Sequence, residues 1–186
     1  GWKEAPPADN FTRVIDAATA MGTCDLTGHP WIIQSGSWRT LSGVAKYLSG
    51  AGALATVAFR NRSGIAGGRM GGSLILEASI TTASTYDIGV CLFRSNSSGK
   101  YLFVNLAGGL VKIQKNVSGA YTSLASSSAG VVAASTAYKL TVVCSFPSTP
   151  GATQTVTAYI DGTQVVTYNL SGTDLTDLAD TAATDF

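Results

Sequence analysis

Charge is what this chain has least of. Of its 186 residues only 12% are charged, and the formal net charge is +1. A protein that grips a phosphate backbone needs a basic excess, so no nucleic-acid partner is expected. Glutamate occurs twice, as Glu4 and Glu77, and histidine once, as His29 in the segment Leu26-Thr-Gly-His-Pro30. A helical zinc-protease motif needs two histidines and is excluded. A Ser-His-Asp triad would rest on His29, and no serine sits in a nucleophile elbow. Glycoside hydrolysis takes two carboxylates about 5 to 10 Å apart. Glu4 stands beside prolines near the N-terminus, which leaves Asp87 as the plausible companion to Glu77. Both read more simply as outward strand carboxylates, so the expectation is a protein that is not an enzyme.

Other scarcities narrow the class further. The three cysteines, Cys24, Cys91 and Cys144, are an odd number at spacings that match no zinc pattern. Cys144 shares a strand face with Leu140, Val142 and Phe146, where a thiol acts as a small hydrophobe. Synthesis in a reducing cytoplasm fits this usage. No apolar run reaches 18 residues, so no membrane insertion by a helix is expected. Gly1-Trp2-Lys3-Glu4-Ala5-Pro6-Pro7 has no apolar stretch after its charges and is not a signal peptide. Gly64-Ile-Ala-Gly-Gly-Arg-Met-Gly-Gly72 lacks the Lys-Ser/Thr ending of a phosphate loop.

What remains is apolar, small and hydroxylated. Hydrophobic residues make up 45% of the chain, glycine occurs 21 times, and serine with threonine about 42 times. This composition is that of a packed domain. Period-2 alternation runs through residues 73–80, 86–94, 100–106, 110–117, 138–146, 153–160 and 163–170. Shorter strands are expected at 31–34, 37–41, 44–48 and 54–59. Gly108-Gly109 and Asp161-Gly162 supply the positive φ that two-residue hairpins require. Residues 123–135 read as a strand and loop crossing an edge. Helical spacing is confined to Val14, Ala17, Ala18 and Met21, and to 174–183, where Leu175 and Leu178 would face inward. About eleven short strands and one or two helical turns predict an all-β, two-sheet antiparallel sandwich. Trp31 and Trp38 are expected as core anchors.

One sheet face has the makings of a binding surface. In Lys100-Tyr-Leu-Phe-Val-Asn-Leu106, Tyr101, Phe103 and Asn105 alternate against Leu102, Val104 and Leu106. The next strand sets Lys112 and Gln114 against Val111 and Ile113. Aromatic rings beside amides and charges are what sugar recognition uses. The candidate ligand-binding set is therefore Asp87, Arg94, Tyr101, Phe103, Asn105 and Lys112. Competing uses of the same face are plain surface decoration and self-association.

A set of motifs in fixed order adds to this reading. Asp9-Asn-Phe-Thr-Arg13 and Trp31-Ile-Ile-Gln-Ser-Gly-Ser-Trp38 come first, with Gly22-Thr-Cys-Asp-Leu-Thr-Gly-His-Pro-Trp31 between them. Leu74-Ile-Leu-Glu-Ala-Ser-Ile80, Gly89-Val-Cys-Leu-Phe-Arg94 and Lys100-Tyr-Leu-Phe-Val-Asn105 follow. Leu110-Val-Lys-Ile-Gln-Lys115, Tyr121-Thr-Ser-Leu-Ala125 and Thr155-Val-Thr-Ala-Tyr-Ile-Asp-Gly162 complete the set. The series resembles the concanavalin A-like (laminin-G-like) jelly-roll domains found in bacteriophage tail and virion proteins. The resemblance implies an N-terminal extension at 1–7 and a single jelly roll over 8–186. It implies a final strand that would begin about where Phe186 ends the sequence.

As to function, the resemblance implies a virion protein, of the tail or another surface, with a lectin-like domain that adheres to host-surface glycan. Its partners would be other virion proteins in an oligomeric assembly, and its location the virion. Alternatives are a purely structural capsid or tail protein, and a secreted carbohydrate-binding module or glycoside-active enzyme. The hydrolase branch carries a Glu-x-Asp-x-x-Glu strand that Glu4 and Glu77 cannot supply. No cofactor is expected. Some relatives hold a structural calcium near the first and last strands, where Asp9 and Asn10 would contribute without the closing carboxylate.

Overall fold

Alternating apolar and polar residues put one face of a strand in the core and the other outside, and hairpin turns then decide which strands are neighbours. The computed structural model describes residues 31–41, 44–57, 72–82, 88–92, 100–146 and 153–178. The chain divides into two compact units, one over residues 1–63 and one over 64–184. In the first, β1 (Trp31–Leu41) and β2 (Val44–Val57) form an antiparallel hairpin. The four short strands expected here are thus two long ones. Register shifts between Ile33 and Trp38 absorb the Ser35-Gly36-Ser37 break, so pairing continues through it. Trp31 stands opposite Val57 and Trp38 opposite Tyr47.

The second unit is an antiparallel β-sandwich. One sheet runs β10-β9-β8-β3, built from β3 (Gly72–Thr81), β8 (Ala137–Phe146), β9 (Gln154–Ile160) and β10 (Thr163–Leu170). The other runs β4-β5-β6-β7, from β4 (Ile88–Leu92), β5 (Tyr101–Ala107), β6 (Leu110–Val117) and β7 (Ala120–Ser126). Leu102, Val104, Leu106, Val111 and Ile113 from the second sheet meet Leu140, Val142, Cys144, Val156, Ala158 and Ile160 from the first in one buried cluster. These are the apolar phases of the alternating segments. Burial pushes the Cys144 thiol up to about 11, against a weak hydrogen bond from Gln154 that works the other way. That keeps it protonated and inert.

Among the described residues three two-residue turns set the local pairings. Gly108-Gly109 joins β5 to β6, Ser118-Gly119 joins β6 to β7, and Asp161-Gly162 joins β9 to β10. All six residues have positive φ, the signature of the hairpin turns that match strand twist. Asp161 does more than turn: its Oδ1 accepts the Lys139 N–H at 2.8 Å, and its own N–H donates to the Lys139 carbonyl at 3.0 Å. The tip of the hairpin is thereby tied to β8. Gly162, at φ +83°, has open space around the position of a Cβ. Gly162→Ala therefore tests backbone strain alone and should cost about 1 kcal/mol. Urea denaturation measures this, and an unchanged midpoint would show that the turn carries no such strain.

A short helix, α1 (Gly172–Leu178), follows β10. It overlaps the expected 174–183 stretch but begins earlier, because Ser171 caps it. Ser171 Oγ accepts the Asp174 N–H at 3.1 Å, and Asp174 Oδ2 accepts the Ser171 N–H at 2.9 Å, a reciprocal capping box. Leu178 is buried and Leu175 half-buried, as the spacing predicts. Among the described residues no helix is long and apolar enough to cross a membrane. The expected helix around Val14 to Met21 and the extension at 1–7 lie outside the described residues.

Candidate functional site

The outer face of the β4-β5-β6-β7 sheet follows from its register. Asn105 stands opposite Gly89 on one side and Lys112 on the other, and Lys112 is in turn opposite Ser126. The next row is Cys91, Phe103, Gln114 and Ser123. The last is Tyr101, Asn116 and Tyr121. Of the six residues expected to bind ligand, Tyr101, Phe103, Asn105 and Lys112 thus share one face. Asp87 and Arg94 lie outside the described residues.

Their exposure is unequal. Tyr101, Phe103, Lys112 and Gln114 are half-buried. Asn105 is fully buried, with an exposure of 0%. Its Oδ1 accepts no hydrogen bond, although the residue has interactions of its own. Alternation gives the phase of Asn105 correctly but not its cover, so the open amide expected from sequence is a buried one.

Tyr121 is the residue that sequence reasoning missed. It is 54% exposed. Its ring meets Tyr101 edge-on, with centroids 6.1 Å apart and planes at 78°, and the two hydroxyls lie 2.5 Å apart. The partners come from β5 and β7, which stand roughly 10 Å apart across β6. The tyrosines therefore arch over the strand between them, and Asn116 beneath is only 2% exposed. Asn116 Oδ1 accepts the Gly119 N–H at 3.0 Å and braces the turn that puts Tyr121 in place. The signal was available: Ser118-Gly119 is a two-residue turn, and counting back from it sets Tyr121 beside Asn116 and so in the row of Tyr101.

Two sets of charged groups among the described residues are committed to structure. Lys115, in phase with Val111 and Ile113, points to the core side of the sheet. Its Nζ is 2.7 Å from both Asp174 and Asp177 of α1. These hydrogen bonds hold the Lys115 ammonium above its usual range, against the effect of burial. Glu77 lies on the outer face of the other sheet, exposed and 2.8 Å from Lys139 Nζ. The Lys139 hydrogen bond lowers the Glu77 pKa, opposite to what a general acid needs. Its expected companion Asp87 is outside the described residues, as are Asp9 and Asn10 of the calcium expectation. Among the described residues no cluster of three His, Cys, Asp or Glu side chains is placed to hold a metal ion.

The comparison with solved structures bears on the fold. The carbohydrate-binding module CBM66 from Bacillus subtilis superposes with a TM-score of 0.54 at 15% identity, covering 75% of this chain and 78% of that one. The fold is a jelly-roll β-sandwich. No protein-family model matches the chain, and no curated protein matches its sequence. At 15% identity the likeness speaks to the sandwich alone. On the outer face of the β4-β5-β6-β7 sheet the jelly roll displays an exposed tyrosine paired with a half-buried one, a glutamine and a lysine.

Proposed function

We propose that this chain is a non-catalytic glycan-binding module that takes saccharide on the outer face of the β4-β5-β6-β7 sheet. The observation that carries the reading is the tyrosine arch: Tyr121 presents more than half of its surface at one end of the face that also carries Gln114 and Lys112. A sugar ring offers C–H bonds to an aromatic face, and the hydroxyls of that ring and of its neighbours in a chain meet the amide and ammonium further along the strand. The superposition on a carbohydrate-binding module supports the same reading. Within it, the chain serves on a virion surface, as part of an oligomeric tail or related assembly adhering to host-surface glycan. The sequence motifs support that finer placement. A shallow site of this kind binds weakly as a single copy and gains strength from many copies.

A glycan array probed with a multimerised form should show binding to at least one envelope polysaccharide. Tyr121→Ala should weaken that binding about tenfold while leaving the thermal midpoint within a few degrees, since a truncated aromatic anchor commonly costs more than about 1 kcal/mol of binding. Silence across the array, or a Tyr121→Ala variant that binds like the parent, would overturn the proposal.

A further inference from the structure

Resting on that reading, we infer that the saccharide is an acidic one, an extended chain bearing carboxylates, whose negative charge is met by Lys112. Charge balance around the sandwich points there. Among the described residues of the second unit every carboxylate is engaged: Glu77 with Lys139, Asp174 and Asp177 with Lys115, and Asp161 with the Lys139 backbone. Lys100 has interactions of its own. Among the described residues Lys112 has no ion-pair partner and no side-chain hydrogen bond. Its register neighbours are an asparagine and a serine, and the next rows hold phenylalanine, glutamine, serine and tyrosine. The described part of the face therefore carries a cation and no carboxylate.

The geometry also gives a length. Lys112 and Asn116 lie four residues apart on β6, roughly 13 Å along the strand. The ammonium and the tyrosine arch thus sit at opposite ends of one face with Gln114 between them. A ring on the tyrosines and a carboxylate at Lys112 cannot belong to the same sugar, so the ligand spans several. Half-burial of Lys112 keeps its stem against the sheet and restricts where the ammonium reaches, which sharpens the match.

The test uses the full chain and a panel of polyuronates (alginate, polygalacturonate and hyaluronate oligosaccharides), each against its carboxyl-reduced neutral form. Titration calorimetry should show binding to at least one acidic member and a loss of about tenfold on carboxyl reduction. Lys112→Gln should weaken the acidic ligand about fivefold, as expected for a partly exposed charge pair. Lys112→Glu should weaken it further, and Lys112→Arg should restore it. Raising the salt concentration should weaken the parent more than Lys112→Gln. Equal binding of acidic and reduced forms, or a Lys112→Gln variant with parental affinity, overturns the inference and leaves the glycan-binding reading standing. Failure of every acidic member overturns the inference too. If neutral array glycans fail as well, both fall.

Discussion

Asp174→Asn should cost this protein roughly 3 to 5 kcal/mol, the loss typical when one partner of a buried ion pair is removed. Asp174 is 3% exposed and receives four bonds: from Lys115 Nζ at 2.7 Å, Ser171 Oγ at 2.7 Å, Ser171 N–H at 2.9 Å and the Tyr168 hydroxyl at 2.9 Å. An amide of the same shape keeps the volume but carries no charge to balance Lys115, and turning its NH2 toward Ser171 or Tyr168 would set donor against donor. Asp177, whose side chain is 37% exposed, shares the same lysine. Asp177→Asn should cost no more than about 1 kcal/mol because water screens it. Equal losses in the two variants would show that burial of the pair does not govern its strength.

The same group sets the acid limb of stability. Burial opposes ionisation of Asp174, yet the hydrogen bonds from Lys115, Ser171 and Tyr168 outweigh it and hold the carboxyl well below the usual carboxylate range. A depressed carboxylate contributes fully above its unfolded value, about 4, and loses that contribution as pH falls through the folded value. Lys115 is shifted upward, so its share is complete below about pH 10 and is lost as pH rises through its raised value. Stability should therefore be level between about pH 5 and pH 9 as far as this pair is concerned. It should fall below about pH 4, and Asp174→Asn should flatten that acid slope. Urea midpoints across the range measure it. A variant that keeps the parental acid slope would assign the slope to other carboxylates.

Gly89→Ala should be nearly as damaging for a different reason. A Cβ at Gly89 would fall 2.0 Å from the Val104 carbonyl oxygen and 2.6 Å from the Asn105 Cα. Both obstacles are backbone of the adjacent strand, which cannot rotate away as a side chain would. β4 would have to move off β5, and the expected cost is about 3 kcal/mol, or roughly 6 to 12 °C in Tm for a chain of this size. Gly172→Ala is the matched control. It stands in the first turn of α1 with open space around it, and should be neutral or slightly stabilising. Because Gly89 is opposite Asn105, its loss should also disturb the edge of the candidate site. A Gly89→Ala protein with parental Tm would show that the two strands approach less closely than described.

Local chemistry was open to reading in the sequence. The bounds of β6 and β10 match the expected 110–117 and 163–170, because each is bracketed by turn residues that stop the strand. The placing of Tyr101, Phe103 and Lys112 on one face followed from alternation and the Gly108-Gly109 turn. The shared row of Tyr101 and Tyr121 was legible in the same way, through Ser118-Gly119. Lys115 left a trace as well: a lysine in phase with Val111 and Ile113 must find a carboxylate, though nothing local says that it comes from α1, 59 residues on.

What the sequence determined by itself was the class of molecule. Alternation, turn pairs and scarcity of charge suffice for an antiparallel sandwich, since each acts between residues a few positions apart. Only tertiary structure decided that β3 pairs with β8 across ten register positions from Gly72 to Thr81. It alone set which outward residues are open, leaving Tyr121 exposed and Asn105 buried, and, among the described residues, that Lys112 stands in no ion pair. Those outcomes depend on what covers a side chain and what charge stands opposite it. Burial and Coulomb attraction join residues that packing makes neighbours, and a pattern of period two carries no record of them.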